Sequence, residues 1–221
     1  MGKKTKIANI ANGVTLLRIA LLFLLVALVY TGSIWARLGA AVLAAIVIIM
    51  DWLDGFLARK LNISTTLGSV LDITGDRIVE NVLWIVLSDL NLIPVWIPIV
   101  VVSRGIMTDS VRNYALRYGK TAFGKTTMMR TKLGKFLTGS PIMRTSYAVM
   151  KGVTFTLLII VSVLNQFWRL IGHPELSKYT PQIHSAGLIL AVLTAAMCLI
   201  RGIPVIIEGF AFIREMEEQK E

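Results

Sequence analysis

The sequence of 221 residues has little charge, little histidine and almost no cysteine. Only 16% of its residues are charged, against about 25% in an ordinary soluble domain, and 55% are hydrophobic. This composition excludes a typical soluble protein and a disordered chain. The single cysteine, Cys198, excludes an intrachain disulfide scaffold. The net charge of +10 would suit a nucleic-acid-binding protein, but the apolar excess does not; together they favour a membrane protein with its positive charge on one side.

Six apolar stretches are each long enough for a membrane-spanning helix, which needs about 20 residues. We therefore predict an all-α integral membrane protein that forms a single domain over residues 1–221. The weakly amphipathic segment 1–13 is predicted to lie in the membrane interface. The predicted spans are approximately residues 14–32, 35–57, 68–88, 92–111, 145–165 and 185–207.

Lysine and arginine are concentrated in alternate connections between these spans. The segment 112–144 holds eight of them, whereas the turn near 89–91 holds none. Because basic connections remain in the cytoplasm, both termini, the turn at 59–66 and the segment 112–144 are predicted to be cytoplasmic. The region from Arg104 to Lys151 has ten basic residues and one acid, a net +9, so nearly all of the positive charge belongs here. We predict a basic surface helix within 112–144 that contacts anionic lipid headgroups, and no nucleic-acid partner.

Four aspartates stand at helical spacing in the second and third predicted spans. Asp51 and Asp54 are three residues apart, Asp72 and Asp76 are four apart, and each pair therefore shares one helix face. The two spans are antiparallel neighbours, so both pairs are predicted at the same cytoplasmic depth. Carboxylates that face one another repel, and they must be protonated or hold cations. An all-oxygen donor set selects Mg²⁺, Mn²⁺ or Ca²⁺ over zinc, and a pair of such ions is a common device for phosphoryl displacement.

A purely structural role or a transport role fits the aspartates less well. Structural ion pairs with Arg59 or Arg77 would account for one acid at a helix end, but not for four at regular spacing. A secondary transporter would have inverted repeats and acids at the bilayer midplane. A non-catalytic membrane anchor gives no reason for the spacing. Gly55 and Gly68, beside the aspartates, permit either close approach of a ligand or tight helix packing, and these roles are compatible.

The whole segment has eight fixed positions over 26 residues and reads Asp51-x₂-Asp54-Gly55-x₂-Ala58-Arg59-x₈-Gly68-x₃-Asp72-x₃-Asp76. It resembles the signature of the CDP-alcohol phosphatidyltransferase family at every fixed position. The resemblance implies transfer of a phosphatidyl group from CDP-diacylglycerol to an alcohol, with release of CMP, by a membrane enzyme that forms a homodimer.

The resemblance also implies roles for the motif residues. Asp51, Asp54 and Asp72 would hold a pair of Mg²⁺ or Mn²⁺ ions at the CDP pyrophosphate. Asp76 would be a further metal ligand, the general base for the acceptor hydroxyl, or both. The remaining motif positions would contact the CDP group, namely Gly55, Ala58, Arg59 and Gly68.

The acceptor alcohol is indicated by cations in and near the spans. A phosphorylated acceptor needs fixed positive charge, and the candidates are Arg104, Arg112, Lys151 and Arg201. Arg112 and Arg201 lie near span ends, where snorkelling explains them equally well, whereas Arg104 and Lys151 are deeper and favour a functional role.

Short stretches of sequence distinguish members of the family. The stretches 12–18, 51–59 and 103–112 resemble bacterial phosphatidylglycerophosphate synthases, which favours glycerol 3-phosphate as acceptor. Inositol phosphate is the next alternative, followed by inositol, serine or phosphatidylglycerol. The sequence departs from those synthases at Ile73 and Gly75, where they usually have proline and alanine.

Overall fold

A computed structural model describes the backbone of residues 2–61, 66–121 and 126–218, and the side chains there except those of residues 2–11, 51–67, 69 and 165. Within these ranges every regular element is a helix, which confirms the all-α prediction for the described part of the chain. The elements are α1 (Gly2–Tyr30), α2 (Ile34–Leu61), α3 (Thr66–Asp89), α4 (Trp96–Arg117), α5 (Lys132–Gly139), α6 (Pro141–Leu170), a 3-10 helix (Pro174–Tyr179) and α7 (Thr180–Glu218).

Among the described residues, three helical segments are long and apolar enough to cross a membrane. They are Asn12–Tyr30, Pro141–Leu164 and Pro174–Glu218. The apolar part of α2, Ile34–Met50, is shorter and ends where the aspartates begin. These segments support the prediction of a membrane protein, while the count of six spans stays a prediction.

The structure shows the backbone of two segments singled out in the sequence, while their positions at the membrane stay predictions. Residues before Gly13 do not form a separate element, because α1 runs unbroken from Gly2 to Tyr30. In the described part of 112–144, the predicted basic surface helix corresponds to the short helix α5 alone, and its contact with lipid headgroups stays a prediction. There α4 ends at Arg117, and only the eight-residue α5 is regular before Pro141 begins α6. Thr131 caps α5 by accepting a hydrogen bond from the Gly134 amide at 2.9 Å.

The chain forms two compact units. Unit 1 comprises Met1–Pro94 and Thr154–Leu188, and unit 2 comprises Val95–Val153 and Ile189–Glu221. In unit 1, α1 packs against both α2 and α3. Trp84 of α3 and Phe155 of α6 meet edge to face in its core, with ring centroids 4.9 Å apart.

The core of unit 2 joins α4, α7 and the turn that precedes α5. Its buried residues are Val111, Ala115, Met128, Met129, Val205 and Phe212. Glu208 of α7 accepts hydrogen bonds from the Arg130 and Thr131 amides, and Arg130 pairs with Glu215. The basic turn is therefore fixed to α7 by both apolar and charged contacts.

Candidate active site

One face of α3 carries four of the chemically informative residues. Gly68, Asp72, Asp76 and Glu80 follow one another at intervals of four residues, so they lie on successive turns of the helix. Glu80 is buried and accepts a hydrogen bond from Arg77 at 3.3 Å, which gives it a structural partner within the helix. Asp72 and Asp76 are both partly exposed. They are therefore the two acids of this face that remain accessible to a ligand.

Asp76 is paired with an arginine from another helix. Arg18 Nη2 of α1 donates to Asp76 Oδ1 at 2.7 Å, and the Arg18 side chain is 1% exposed while that of Asp76 is 44% exposed. A buried arginine in an apolar helix is costly unless it is paired, and the pair with Asp76 supplies that partner. The contact therefore fixes the carboxylate on its buried side and leaves the group partly open.

Arg18 belongs to the site although the aspartate motif does not predict it. A signal was present, because Arg18 is the one charged residue between Asn12 and Tyr30 in the sequence. A lone ionisable residue in an apolar span is by default a functional hypothesis. The partner could not be found from α1 alone, because the face that meets α3 is set by packing.

The glycine before Asp76 permits this contact. A Cβ added at Gly75 would lie 2.8 Å from Thr15 Cγ2 and 3.1 Å from Arg18 Nη2. Both distances are too short for an ordinary contact, so an alanine would force α1 or the arginine to move. The departure from the usual alanine at this position thus coincides with the closest approach of α3 to Arg18.

The other half of the motif lies on α2. Asp51, Asp54, Gly55, Ala58 and Arg59 all belong to this helix, but their side chains lie outside the described residues. The described residues contain no group of three or more potential metal-ligating side chains, and they include only two of the four motif aspartates. Those two are partly exposed oxygen donors on one helix face, which fits a hard divalent cation.

All four predicted acceptor cations belong to unit 2, and three of them lie near one another there. Arg201 of α7 and Lys151 of α6 both lie against the ring of Tyr147, at 5.1 and 5.6 Å from its centroid. These are cation–π distances. Arg104 of α4 packs along Gly202 of α7, where an added Cβ would lie 2.8 Å from Arg104 Cγ. The absence of a side chain at Gly202 therefore makes room for Arg104.

Arg104 and Arg201 both have unsatisfied hydrogen-bonding capacity. Arg104 is 8% exposed, and the Nε atoms of both arginines are buried without a hydrogen-bond partner in the described part of the chain. Neither guanidinium forms a salt bridge with a described carboxylate. A buried cation without a counter-ion costs on the order of several kcal/mol, so the arrangement favours binding of an anion.

Arg112, the fourth predicted cation, has a different environment. It lies eight residues along α4 from Arg104, about 12 Å along the helix axis. It pairs with Asp109 at 3.6 Å, and the Arg112 side chain is 31% exposed while that of Asp109 is 29% exposed. These contacts fit the alternative of a surface residue near a helix end.

The comparison with known families identifies the fold and motif together. A family model for CDP-alcohol phosphatidyltransferase matches residues 8–192, which include the complete aspartate motif. The chain belongs to this family. It is accordingly a phosphatidyltransferase, and the resemblance of the motif is confirmed.

Three relatives that the chain resembles carry one common name. The chain is 29% identical over 162 residues to the CDP-diacylglycerol–glycerol-3-phosphate 3-phosphatidyltransferase of Bacillus subtilis (strain 168), covering 68% of this chain and 81% of that protein. The Pseudomonas fluorescens protein of the same name is 32% identical over 121 residues, 52% of this chain and 60% of that protein. The Escherichia coli (strain K12) protein is 28% identical over 115 residues, covering 51% and 63% respectively. The match thus spans four fifths of the first relative but less than two thirds of the other two.

Proposed function

We propose that the phosphatidyltransferase joins the phosphatidyl group of CDP-diacylglycerol to glycerol 3-phosphate, forming phosphatidylglycerol phosphate and CMP. The observation that carries the choice of acceptor is the pair formed by the buried Arg104 and the partly buried Arg201, neither of which has a carboxylate partner among the described residues. The phosphate of glycerol 3-phosphate would supply the missing negative charge. The names of the relatives support the same acceptor.

The motif aspartates are proposed to act at the pyrophosphate. Asp51, Asp54, Asp72 and Asp76 would hold Mg²⁺ or Mn²⁺, and the bound cations would neutralise charge on the pyrophosphate and on the leaving CMP. Gly68 of α3, together with Gly55, Ala58 and Arg59 of α2, would contact the CDP group.

The reaction exchanges one phosphorus–oxygen bond for another. The acceptor hydroxyl oxygen attacks the phosphatidyl phosphorus, the bond to the CMP phosphate breaks, and the hydroxyl proton passes to a carboxylate. Asp76 is the proposed proton acceptor, because it is partly exposed and is held in place by Arg18 at 2.7 Å. Arg104, Arg201 and Lys151 would bind the acceptor phosphate.

Inositol phosphate is a second candidate acceptor, because it carries the same phosphate monoester as glycerol 3-phosphate. Arg104 and Arg201 suit either compound. Inositol and serine lack a phosphate, and phosphatidylglycerol carries only a diester, so these three would leave more of the positive charge unpaired.

An acceptor panel tests this proposal. The purified protein is expected to release CMP from CDP-diacylglycerol faster with glycerol 3-phosphate than with inositol phosphate, inositol, serine or phosphatidylglycerol. Replacing Arg104 by glutamine is expected to raise KM for glycerol 3-phosphate about tenfold or more, since a charge-assisted hydrogen bond contributes about 1.5–3 kcal/mol. The KM for CDP-diacylglycerol should stay within about twofold.

Arg112→Gln is the matched control, because Arg112 is on the same helix and already pairs with Asp109 at 3.6 Å. It should change KM for glycerol 3-phosphate much less than Arg104→Gln does. Arg201→Gln provides a second test if the Arg104 variant is unstable. CMP release with unphosphorylated alcohols alone, or an unchanged KM in both variants, would contradict the proposed acceptor site.

The proposal includes six spans, cytoplasmic termini and a cytoplasmic aspartate site, in one functional domain that works as a homodimer. The distribution of basic residues and the three long apolar helices support it. A topology reporter fused after Lys125 should be cytoplasmic, and one fused after Leu90 should be external. The reverse pair of signals would overturn the orientation.

A further inference from the structure

Unit 1 contains a cavity of about 720 Å³. Its lining brings together the ends of four helices: the start of α2, the end of α3, the end of α6 and the start of α7. Leu90, which lines it, follows Asp72 by 18 residues and Asp76 by 14, so the cavity is about 27 Å and about 21 Å from these aspartates along the axis of α3. It is therefore separate from the proposed active site. Its polar lining residues are Arg37, Ser162, Arg169, Ser177, Thr180 and His184.

Two arginines make the cavity electropositive. Arg37 donates from Nε to the Val29 carbonyl at 3.2 Å and from Nη1 to the Ser162 carbonyl at 3.5 Å. Both acceptors are neutral, and a guanidinium has five N–H donors, so further donors remain for a ligand. Arg169, at the end of α6, is exposed and forms no salt bridge with a described carboxylate. No carboxylate is among the lining residues that the structure describes.

The nearest acids of this end of unit 1 have partners of their own. Asp89, which precedes Leu90, accepts a hydrogen bond from the Tyr30 hydroxyl at 2.5 Å. Glu175 of the 3-10 helix lies 2.9 Å from His173 Nδ1. Neither contact neutralises Arg37 or Arg169.

The start of α7 adds a hydroxyl donor that suits an anion. Thr180 is 6% exposed, and its Oγ1 is buried without a hydrogen-bond partner in the described structure although the residue lines the cavity. Thr180 is also the first residue of α7, which follows the 3-10 helix directly, and its backbone amide donates to the Ser177 carbonyl. Pro181 and His184, from the first turns of the same helix, complete this wall, and His184 Nε2 donates to the Leu92 carbonyl at 2.9 Å.

We propose that this cavity binds a phosphate group, supplied either by a phospholipid headgroup or by free phosphate. The guanidinium groups of Arg37 and Arg169 neutralise the anion, and the Thr180 hydroxyl donates a hydrogen bond to it. Leu90, Leu92 and Val161 supply apolar lining beside the charges, which suits the first methylene groups of a lipid's acyl chains.

Binding of two probes to the full-length protein in maltoside detergent tests the proposal. Dihexanoyl phosphatidylglycerol and inorganic phosphate are titrated separately by calorimetry at constant ionic strength. Arg169→Gln is the first variant, because this exposed side chain makes no described salt bridge and its loss should not impair folding. We expect at least about tenfold weaker binding in this variant and a further loss in Arg169→Glu. Thr180→Val, which replaces the hydroxyl by a methyl group, should weaken binding in the same direction.

Lys178→Gln is the matched control. Lys178 belongs to the 3-10 helix of the same segment and lies over the Tyr179 ring at 5.0 Å, but it does not line the cavity. Any binding of short-chain lipid at the proposed active site should be the same in all these variants, so it does not affect their comparison. Sensitivity of the lipid alone to Arg169 supports a headgroup site, and sensitivity of both probes supports a site for free phosphate. Equal affinities in the wild type, Arg169→Glu and Thr180→Val, or no binding of either probe, would overturn the proposal.

Discussion

Asp76→Asn is expected to lower the rate of CMP release from CDP-diacylglycerol by at least about a hundredfold, the lower range for loss of a general base. The amide keeps the shape of the side chain but cannot accept the hydroxyl proton or serve as an anionic metal ligand. The measurement is kcat with glycerol 3-phosphate and Mg²⁺, normalised to folded protein. The asparagine keeps an Oδ1 acceptor for the buried Arg18 but removes its counter-charge, so stability should fall as well, and normalising kcat to folded protein separates that loss from the loss in the chemical step.

Asp89→Asn is the control for this substitution. Asp89 ends the same helix and accepts a hydrogen bond from Tyr30, far from the motif. Its replacement should leave kcat within about threefold of the wild type, which is below the hundredfold scale of acid–base catalysis. Full activity of Asp76→Asn would exclude both proposed roles of Asp76.

Arg18→Gln is expected to lower kcat about 10- to 100-fold with little change in KM for either substrate. The estimate follows from the loss of one charge-assisted hydrogen bond of about 1.5–3 kcal/mol, at about 1.4 kcal/mol for each tenfold change. Arg18 is 1% exposed, so it acts on the reaction through Asp76 and is a positioning residue. Steady-state kinetics with each substrate varied in turn separate the effect on kcat from any effect on KM.

Arg18→Lys distinguishes positioning from charge alone. Lysine keeps the positive charge but lacks the planar fork of donors, so partial recovery of kcat is expected. Thermal unfolding of the three proteins is measured in parallel. A lower melting temperature with an unchanged kcat for the folded fraction would assign Arg18 a purely structural role.

Helical spacing was sufficient to predict which motif residues share one face of α3. Intervals of four residues place Gly68, Asp72 and Asp76 on successive turns, and this follows from helix geometry whatever the surrounding structure. The ion pair between Arg18 and Asp76 could not be predicted in the same way. It depends on which face of α1 meets α3, and the close approach is permitted by Gly75, whose environment is visible only after packing.

The cations of unit 2 were likewise predicted only in part from the sequence. Their depth in the predicted spans marked Arg104 and Lys151 as candidates, but Tyr147 and Gly202, which organise the group, could not be assigned to it from spacing along the chain. Depth also failed to separate Arg201, which joins the group, from Arg112, which pairs with Asp109. Composition indicated a basic segment after α4, but its contacts with Glu208 and Glu215 of α7 join residues distant in sequence and could not be predicted from composition.

Transfer of label from glycerol 3-phosphate into lipid tests the central proposal most directly. The purified protein is incubated with CDP-diacylglycerol, Mg²⁺ and glycerol 3-phosphate labelled with ³²P, and the organic phase is extracted and treated with a phosphatase. We predict a labelled lipid whose label the phosphatase removes, one CMP for each labelled molecule, and no product with EDTA or with Asp72→Asn. Release of CMP without label in the lipid would contradict glycerol 3-phosphate as the acceptor, and undiminished transfer in EDTA would contradict the metal-dependent site.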